Sequence, residues 1–380
     1  MTLISAILIF LLSIGQIVLN LVNTLKVKNF VDYLVYRGAL DKFMSGLNPY
    51  HYLYGQLSDK IPFNYPPSSL IALLPFHFLP IKAGETLLTV LSFISICLVI
   101  WLVIKLSHIK VSTPLFLIIC AFFMQTFPVK FTLILGQVNL IVLALTFLSL
   151  YLYLTHTYKH SYLLAIILLS LAASLKIFPL LILAPIFLKK DYKFVFSVIG
   201  LFLILNLIPY PKLFSEYFFD IFPKLSLATS SPNFYDQSIY AFLFRLTSNA
   251  VISKYLAEGL VLVLFLNILR AFKKQDLVFS ASYLLAIFSI GSSFSWQHHL
   301  VFAYPLILIL LLRNIQKNRY SLIHLIPFLL IWVIMILHFP NEASSPLSNP
   351  FFASYQTITL LVLLFYSAPK FKSFLFTHSI

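Results

Sequence analysis

Acidic side chains are what this chain has least of: 11 Asp and Glu among 380 residues, against 26 Lys and Arg. Charged residues of both signs make up only 10% of it. An ordinary soluble domain carries about 25% charge, so that class is excluded. Cysteine is scarce as well. Cys97 and Cys120 both lie inside apolar runs and read as small core hydrophobes, which leaves no disulfide framework and no Cys-based zinc site. Tandem repeats, low-complexity segments and hydrophilic stretches long enough for a soluble domain are also missing.

What is present is apolar. Hydrophobic residues make up 61% of the chain, and the mean hydropathy is +0.97. Apolar runs of about 18–22 residues recur, the length a helix needs to cross hydrocarbon. Continuous runs exclude a β-barrel, whose strands alternate. The expected class is an all-α polytopic membrane protein. Candidate spans are 4–23, 85–105, 112–128, 134–154, 162–188, 194–210, 251–269, 277–294, 299–312, 322–338 and 352–368, with a shorter apolar segment at 67–81. Thr2–Asn23 has no basic n-region and no small-residue cleavage site, so it reads as a retained span. A net charge of +15 points in such a chain to topology rather than nucleic acid, because Lys and Arg collect on the cytoplasmic side.

Basic clusters at Lys189, Lys190 and Lys193, at Arg270, Lys273 and Lys274, at Arg313, Lys317 and Arg319, and at Lys370 and Lys372 assign those segments to the cytoplasm. The stretch 162–188 reads either as one long tilted span or as two half-helices meeting near Lys176 and Pro179. The hairpin version puts 14 basic residues and two acids inside, net +12, and positive-inside favours it. Both versions keep the N-terminus inside and the first loop outside. The long loops, about 24–66 and 211–250, then lie on the outer face of a single integral-membrane domain spanning 1–380, and function is expected there.

Residues 29–44 read as a short amphipathic helix on the membrane surface, with Phe30, Leu34 and Val35 toward lipid. Asp32 and Tyr36 share a face. Asp32 is either half of a capping box with Asn29 as N-cap or a catalytic carboxylate. L-N-P-Y (47–50) and N-Y-P-P (64–67) are turn signals bracketing an exposed loop. Tyr50, Tyr52, Tyr54 and Tyr65 suit an interface, a sugar or a lipid cover. Gly136 and Asn139 of G-Q-V-N allow close helix packing and an interhelical hydrogen bond. Lys176 lies about 21 Å along a helix begun at Tyr162, past the midplane toward the outer side. It needs an anionic partner, which is a phosphate, Asp236 or, by snorkelling, the interface. D-Q-S-I-Y-A-F-L-F-R (236–245) starts an outer helix bearing Arg245, and S-W-Q-H-H (295–299) ends a span on the outer side. Adjacent histidines do not share a helix face and no further ligand set accompanies them, so proton handling, hydrogen bonding or an interfacial structural pair is preferred to a metal.

Taken in order, D-Y-L-V-Y-R, G-L-N-P-Y, N-Y-P-P, I-L-G-Q-V-N, A-A-S-L-K-I-F-P, D-Q-S-I-Y-A-F-L-F-R and S-W-Q-H-H resemble glycosyltransferase family 87, the polyprenol-phosphate-mannose-dependent mannosyltransferases of bacterial envelopes. The likeness runs from about residue 30 to 305. It implies a GT-C bundle of about 10–13 transmembrane or re-entrant helices with an outer juxtamembrane helix, in the bacterial plasma membrane, both termini cytoplasmic. It implies a polyprenyl-phospho-sugar donor, an envelope lipid or glycan acceptor, and inversion at the anomeric carbon. The family's loop acid falls on Asp32, its K-x-x-P on Lys176 and Pro179, and its histidine pair on His298 and His299; Asp41 and Asp59 offer no motivated second acid. The residues agree with that chemistry. One carboxylate takes the acceptor proton, and cations hold the leaving phosphate, so no enzyme acid, metal or other cofactor is called for.

The expected site is therefore Asp32 as base, with Lys176, Arg245, His298, His299, Tyr36 and Arg37 near the donor. Asn48, Tyr50, Tyr65, Gln137, Asn139 and Gln237 lie toward the loops and the acceptor. Membrane lipids are expected partners and nucleic acid is not. The competing classes are a lipid-linked-sugar flippase or transporter and a non-catalytic membrane protein. The scarcity of acids in the spans and the absence of repeats argue against ion coupling.

Overall fold

A computed structural model of the chain describes residues 2–27, 30–54, 61–155, 159–227, 235–272, 276–292, 295–318, 322–337 and 349–367. Asn29 and Asp59 lie outside the described residues. Among those described, four helices are long and apolar enough to cross a membrane: Leu3–Asn23, Ile81–Leu106, Ala250–Arg270 and Gln297–Lys317. Two bent pairs pass the same test, Thr113–Met124 with Phe127–Leu135 at 65° and Tyr192–Leu207 with Pro211–Leu225 at 116°. Shorter apolar helices, among them Asn139–Thr155, Ser161–Leu175 and Leu277–Gly291, fill the bundle between them. The protein is a polytopic helical membrane protein with one continuous apolar core.

Several boundaries differ from the sequence expectation. The span expected over 112–128 stops at Met124, because Pro128 at the second position of the next helix favours a fresh start there. The connection after Leu207, expected as an outer loop, is partly helical, Pro211–Glu216 and onward to Leu227. S-W-Q-H-H does not close a span but opens the next one, as the 3₁₀ turn Gln297–Ala303 leading into Tyr304–Asn318. Segment 67–81 forms a short helix, Ser68–Ala72, and a 3₁₀ turn, Leu74–Phe78. Leu53–Tyr54 and Ile61–Pro62 pair antiparallel, the one small sheet among the described residues.

The ambiguous stretch 162–188 is a hairpin. Helix Ser161–Leu175 ends at Lys176, whose backbone is extended (φ −152°, ψ 133°), and the chain resumes as the 3₁₀ turn Phe178–Ile182 and helix Leu183–Leu188. Tyr162, at the start, donates to Asp191 Oδ1 at 2.9 Å, just beyond the end. Tyr153 donates to the other oxygen of the same carboxylate at 3.1 Å. A straight 27-residue helix would hold those ends about 40 Å apart. Lys176 therefore stands at the tip of a re-entrant loop whose two ends lie on one side.

Helix Val31–Met44 does not lie on lipid as expected. Phe30, Tyr33, Val35, Tyr36, Ala39 and Leu40 are all buried in protein. The reason is two glycines that let the helix sink into the bundle. A Cβ on Gly84 would stand 1.7 Å from the Tyr33 hydroxyl, and one on Gly136 would stand 2.8 Å from Phe30 Cβ. Gly136 is also the left-handed C-cap (φ 70°) of Phe127–Leu135, a conformation glycine adopts without penalty. No capping box is formed by Asp32: the N-cap is Phe30, and its N–H donates to the buried Glu85 carboxylate at 2.7 Å.

Candidate active site

Sinking the surface helix brings Asp32 to the hairpin tip. Gln137, held just after the Gly136 turn, organises the contact. Its Oε1 accepts the hydroxyls of Tyr36 (3.1 Å) and Tyr65 (3.2 Å), which hydrogen-bond each other at 2.9 Å. With the carbonyl so occupied, the amide N–H groups remain to donate, and Gln137 hydrogen-bonds the Asp32 carboxyl. Burial pushes the Asp32 carboxyl up to about 6, against the opposing pulls of the Gln137 hydrogen bond and the Lys176 charge.

Lys176 faces the same point from the hairpin. Its Nζ donates to His299 Nε2 at 3.4 Å and lies 5.6 Å from the centre of the Tyr65 ring. The His298 and His299 rings meet edge to face at 4.3 Å. The His298 carbonyl accepts from Asn139 Nδ2 (3.1 Å) and Thr132 Oγ1 (3.3 Å), which fixes the pair against the two helices that flank Gln137. The Nδ1 atoms of both histidines are buried and have no hydrogen-bond partner among the described residues. Asp32, Tyr36, Tyr65, Gln137, Asn139, Lys176, His298 and His299 thus form one cluster from five separate segments. It places one carboxylate opposite an ammonium and an imidazole, an arrangement that can accept a proton on one side and hold an anion on the other. Among the described residues, no group of three or more His, Cys, Asp or Glu is placed to hold a metal ion.

Other expected site residues are engaged elsewhere. Arg37 pairs with Asp41 at 3.0 Å and donates to the carbonyls of Phe76 and Leu79, tying the surface helix to the segment after it. Arg245 donates to the Asp236 carbonyl (2.8 Å) and Ser354 Oγ (2.7 Å). Asp236 Oδ1 accepts from the backbone of Ser238 and Ser295. Gln237 donates to the Ala353 carbonyl at 2.8 Å, and its own carbonyl accepts from Thr357. Asn48 caps the Pro49–His51 turn and donates to Glu216 at 2.5 Å. Tyr50 stacks on Tyr217 and donates to the Tyr65 carbonyl at 2.7 Å, so it supports Tyr65 from behind.

Glu85 escaped the sequence expectation. It is fully buried, with one oxygen on the Phe30 N–H and the other 3.2 Å from Lys82. The signal was present in K-A-G-E (82–85): a lysine three residues ahead of a glutamate at a helix start, with glycine between.

The family model described as glycosyltransferase family 87 matches residues 63–324, more than two-thirds of the chain. Tyr65, Gln137, Lys176, His298 and His299 fall inside that segment, and Asp32 falls ahead of it. No curated protein matches. Among solved structures, the crystal structure of ArnT from Cupriavidus metallidurans in the apo state is similar at 13% identity, over 93% of this chain and 70% of that one, with a TM-score of 0.46. That likeness is too distant to carry a statement about this chain.

Proposed function

The chain belongs to glycosyltransferase family 87 and is a membrane glycosyltransferase, and from that premise we propose that it moves a hexose from a polyprenyl-phospho-sugar to an envelope lipid or glycan. Mannose is the sugar the family resemblance favours. The observation that carries the proposal is the meeting of Asp32 with the Lys176–His299 pair around the Gln137 network. In the proposed step the acceptor oxygen attacks C1 and gives its proton to the Asp32 carboxylate. The C1–O bond to phosphate breaks, and the polyprenyl phosphate leaves with the electron pair. Lys176 and His299 hold its growing charge. Attack opposite the phosphate inverts the anomeric centre. Positive-inside topology supports a plasma-membrane protein with both termini in the cytoplasm and the site on the outer face.

The test is transfer in proteoliposomes from radiolabelled polyprenyl-phospho-mannose to an envelope lipid extract. Wild-type protein is expected to transfer label and Asp32→Asn to fail. Undiminished transfer by the Asn variant removes the base assignment. Transfer from a sugar nucleotide but from no polyprenyl-phospho-hexose removes the donor.

A further inference from the structure

Transfer of the kind proposed requires something to hold a sugar ring, and the cluster around Asp32 holds protons and phosphate. Beside it stands a wall of stacked aromatic rings. Phe131 and Trp296 lie 6.2 Å apart at 11°, Tyr235 and Trp296 6.0 Å apart at 22°, and Phe127 and Phe131 5.2 Å apart at 23°. All four are half-buried rather than sealed in the core. The wall abuts the site directly, since the His298 ring lies 5.6 Å from Phe131 and 6.0 Å from Trp296. His298 is 4% exposed, yet its Nδ1 has no hydrogen-bond partner among the described residues.

An isoprenoid chain would ask for an apolar lining within the hydrocarbon. This wall is built otherwise. Phe127 and Phe131 follow the 65° bend that ends Thr113–Met124, Tyr235 precedes helix Ile239–Thr247, and Trp296 precedes the 3₁₀ turn. Phe127 and Phe131 lie on helix Phe127–Leu135, the second arm of that bent pair, Tyr235 and Trp296 lie on connections, and a buried nitrogen with no partner among the described residues stands alongside. A pyranose presents a C–H face that stacks on aromatic rings and hydroxyls that would satisfy that nitrogen.

We propose that Phe131, Tyr235 and Trp296 form a stacking platform for a pyranose ring, with His298 Nδ1 meeting one of its hydroxyls. The proposal rests on the transferase reading above and adds where the sugar sits. The ring belongs either to the donor or to a glycosidic acceptor.

The experiment measures binding, without turnover. In full-length protein in nanodiscs, Trp101→Phe with Trp332→Phe leaves Trp296 as the sole tryptophan of three. Its emission is followed against polyprenyl phosphate, polyprenyl-phospho-mannose, and the methyl pyranosides of mannose, glucose and galactose. Phe131→Leu is expected to weaken a sugar-bearing probe roughly three- to tenfold, to leave polyprenyl phosphate unchanged, and to be rescued by Phe131→Tyr. Weakening confined to polyprenyl-phospho-mannose assigns the ring to the donor; weakening confined to the methyl pyranosides assigns it to the acceptor. Equal weakening for polyprenyl phosphate, no weakening for any sugar-bearing probe, or no sugar-bearing probe binding at all overturns the platform. Asp32→Asn, which removes a charge facing Lys176, is expected to shift polyprenyl phosphate and polyprenyl-phospho-mannose together and to leave the Phe131→Leu effect on the sugar-bearing probes in place, so failure of the base assignment and failure of the platform are separable.

Discussion

Two polar clusters in this membrane protein are made of the same residue types and behave differently. One joins Asp236, Gln237 and Arg245; the other joins Asp32, Gln137, Lys176 and the histidine pair. In the first, Asp236 Oδ1 takes two backbone N–H groups, Arg245 binds a carbonyl and a hydroxyl, and Gln237 clips onto Ala353 and Thr357. These bonds stitch an inter-helix connection to the last helix. In the second, the Lys176–His299 contact is long at 3.4 Å, and both histidines keep an unpartnered Nδ1. A cluster that binds itself is structural. A cluster with hydrogen-bonding capacity left over in a buried place is the candidate for a ligand, and that is the basis of the proposal above.

Removing Asp32 gives the largest contrast. Asp32→Asn is expected to lower transfer by about 10²–10⁴-fold. The same change should stabilise the fold. Burial raises the Asp32 carboxyl from 3.8 to about 6, so the folded state prefers the protonated acid. The cost of ionisation appears as pH rises from about 4 to 6 and is complete above, on the order of 3 kcal/mol. The Asn variant should therefore unfold at higher temperature than wild type at pH 8 and at the same temperature at pH 4. Wild-type turnover should climb through about pH 6 and then level off. A variant less stable at pH 8 would mean that the ionised Asp32 carboxylate holds the fold together rather than waiting for a proton.

Lys176→Met follows. Loss of one preorganised phosphate donor is expected to cost about 10²–10³-fold in turnover. Because the Lys176 charge pulls the Asp32 carboxyl down, its removal should also shift the rising limb of the pH profile above 6. A limb that stays in place would separate the two residues and dissolve the cluster.

Arg245→Met tests the other side. It leaves the Asp236 carbonyl and Ser354 without their charged donor, and should lower stability by about 2–3 kcal/mol. Turnover per folded molecule should stay within about threefold of wild type. A large fall in turnover without loss of stability would return Arg245 to the donor site.

Which of these residues could be read from the sequence follows from cost. A polar group in an apolar chain is expensive, so Asp32, Lys176 and the histidine pair stood out by rarity alone. The hairpin was half legible: positive-inside charge favoured it over a single span, and the Tyr162–Asp191 bond closes it. Arg245 carried the same rarity signal, and only folding gave it a structural partner 109 residues away. Glu85 drew no reading from the sequence, and only folding buries it against the Phe30 N–H. The aromatic wall gave little signal, since 17% of the residues are aromatic and only Trp296, one of three tryptophans, is a rare ring among them.

The smallest expected effect marks the limit of the comparison. His51 and Glu216 meet at 2.9 Å, a contact that links the loop after helix Val31–Met44 to helix Pro211–Glu216. Its His side chain is 65% exposed, unlike any member of either cluster. Water competes for such a pair, and exposed pairs contribute about 0–1 kcal/mol. His51→Gln should therefore move stability by less than that and turnover by less than about twofold. If turnover fell tenfold with stability intact, the loop contact would be part of closure over the site. Burial would then no longer be what separates structural from functional polar groups here.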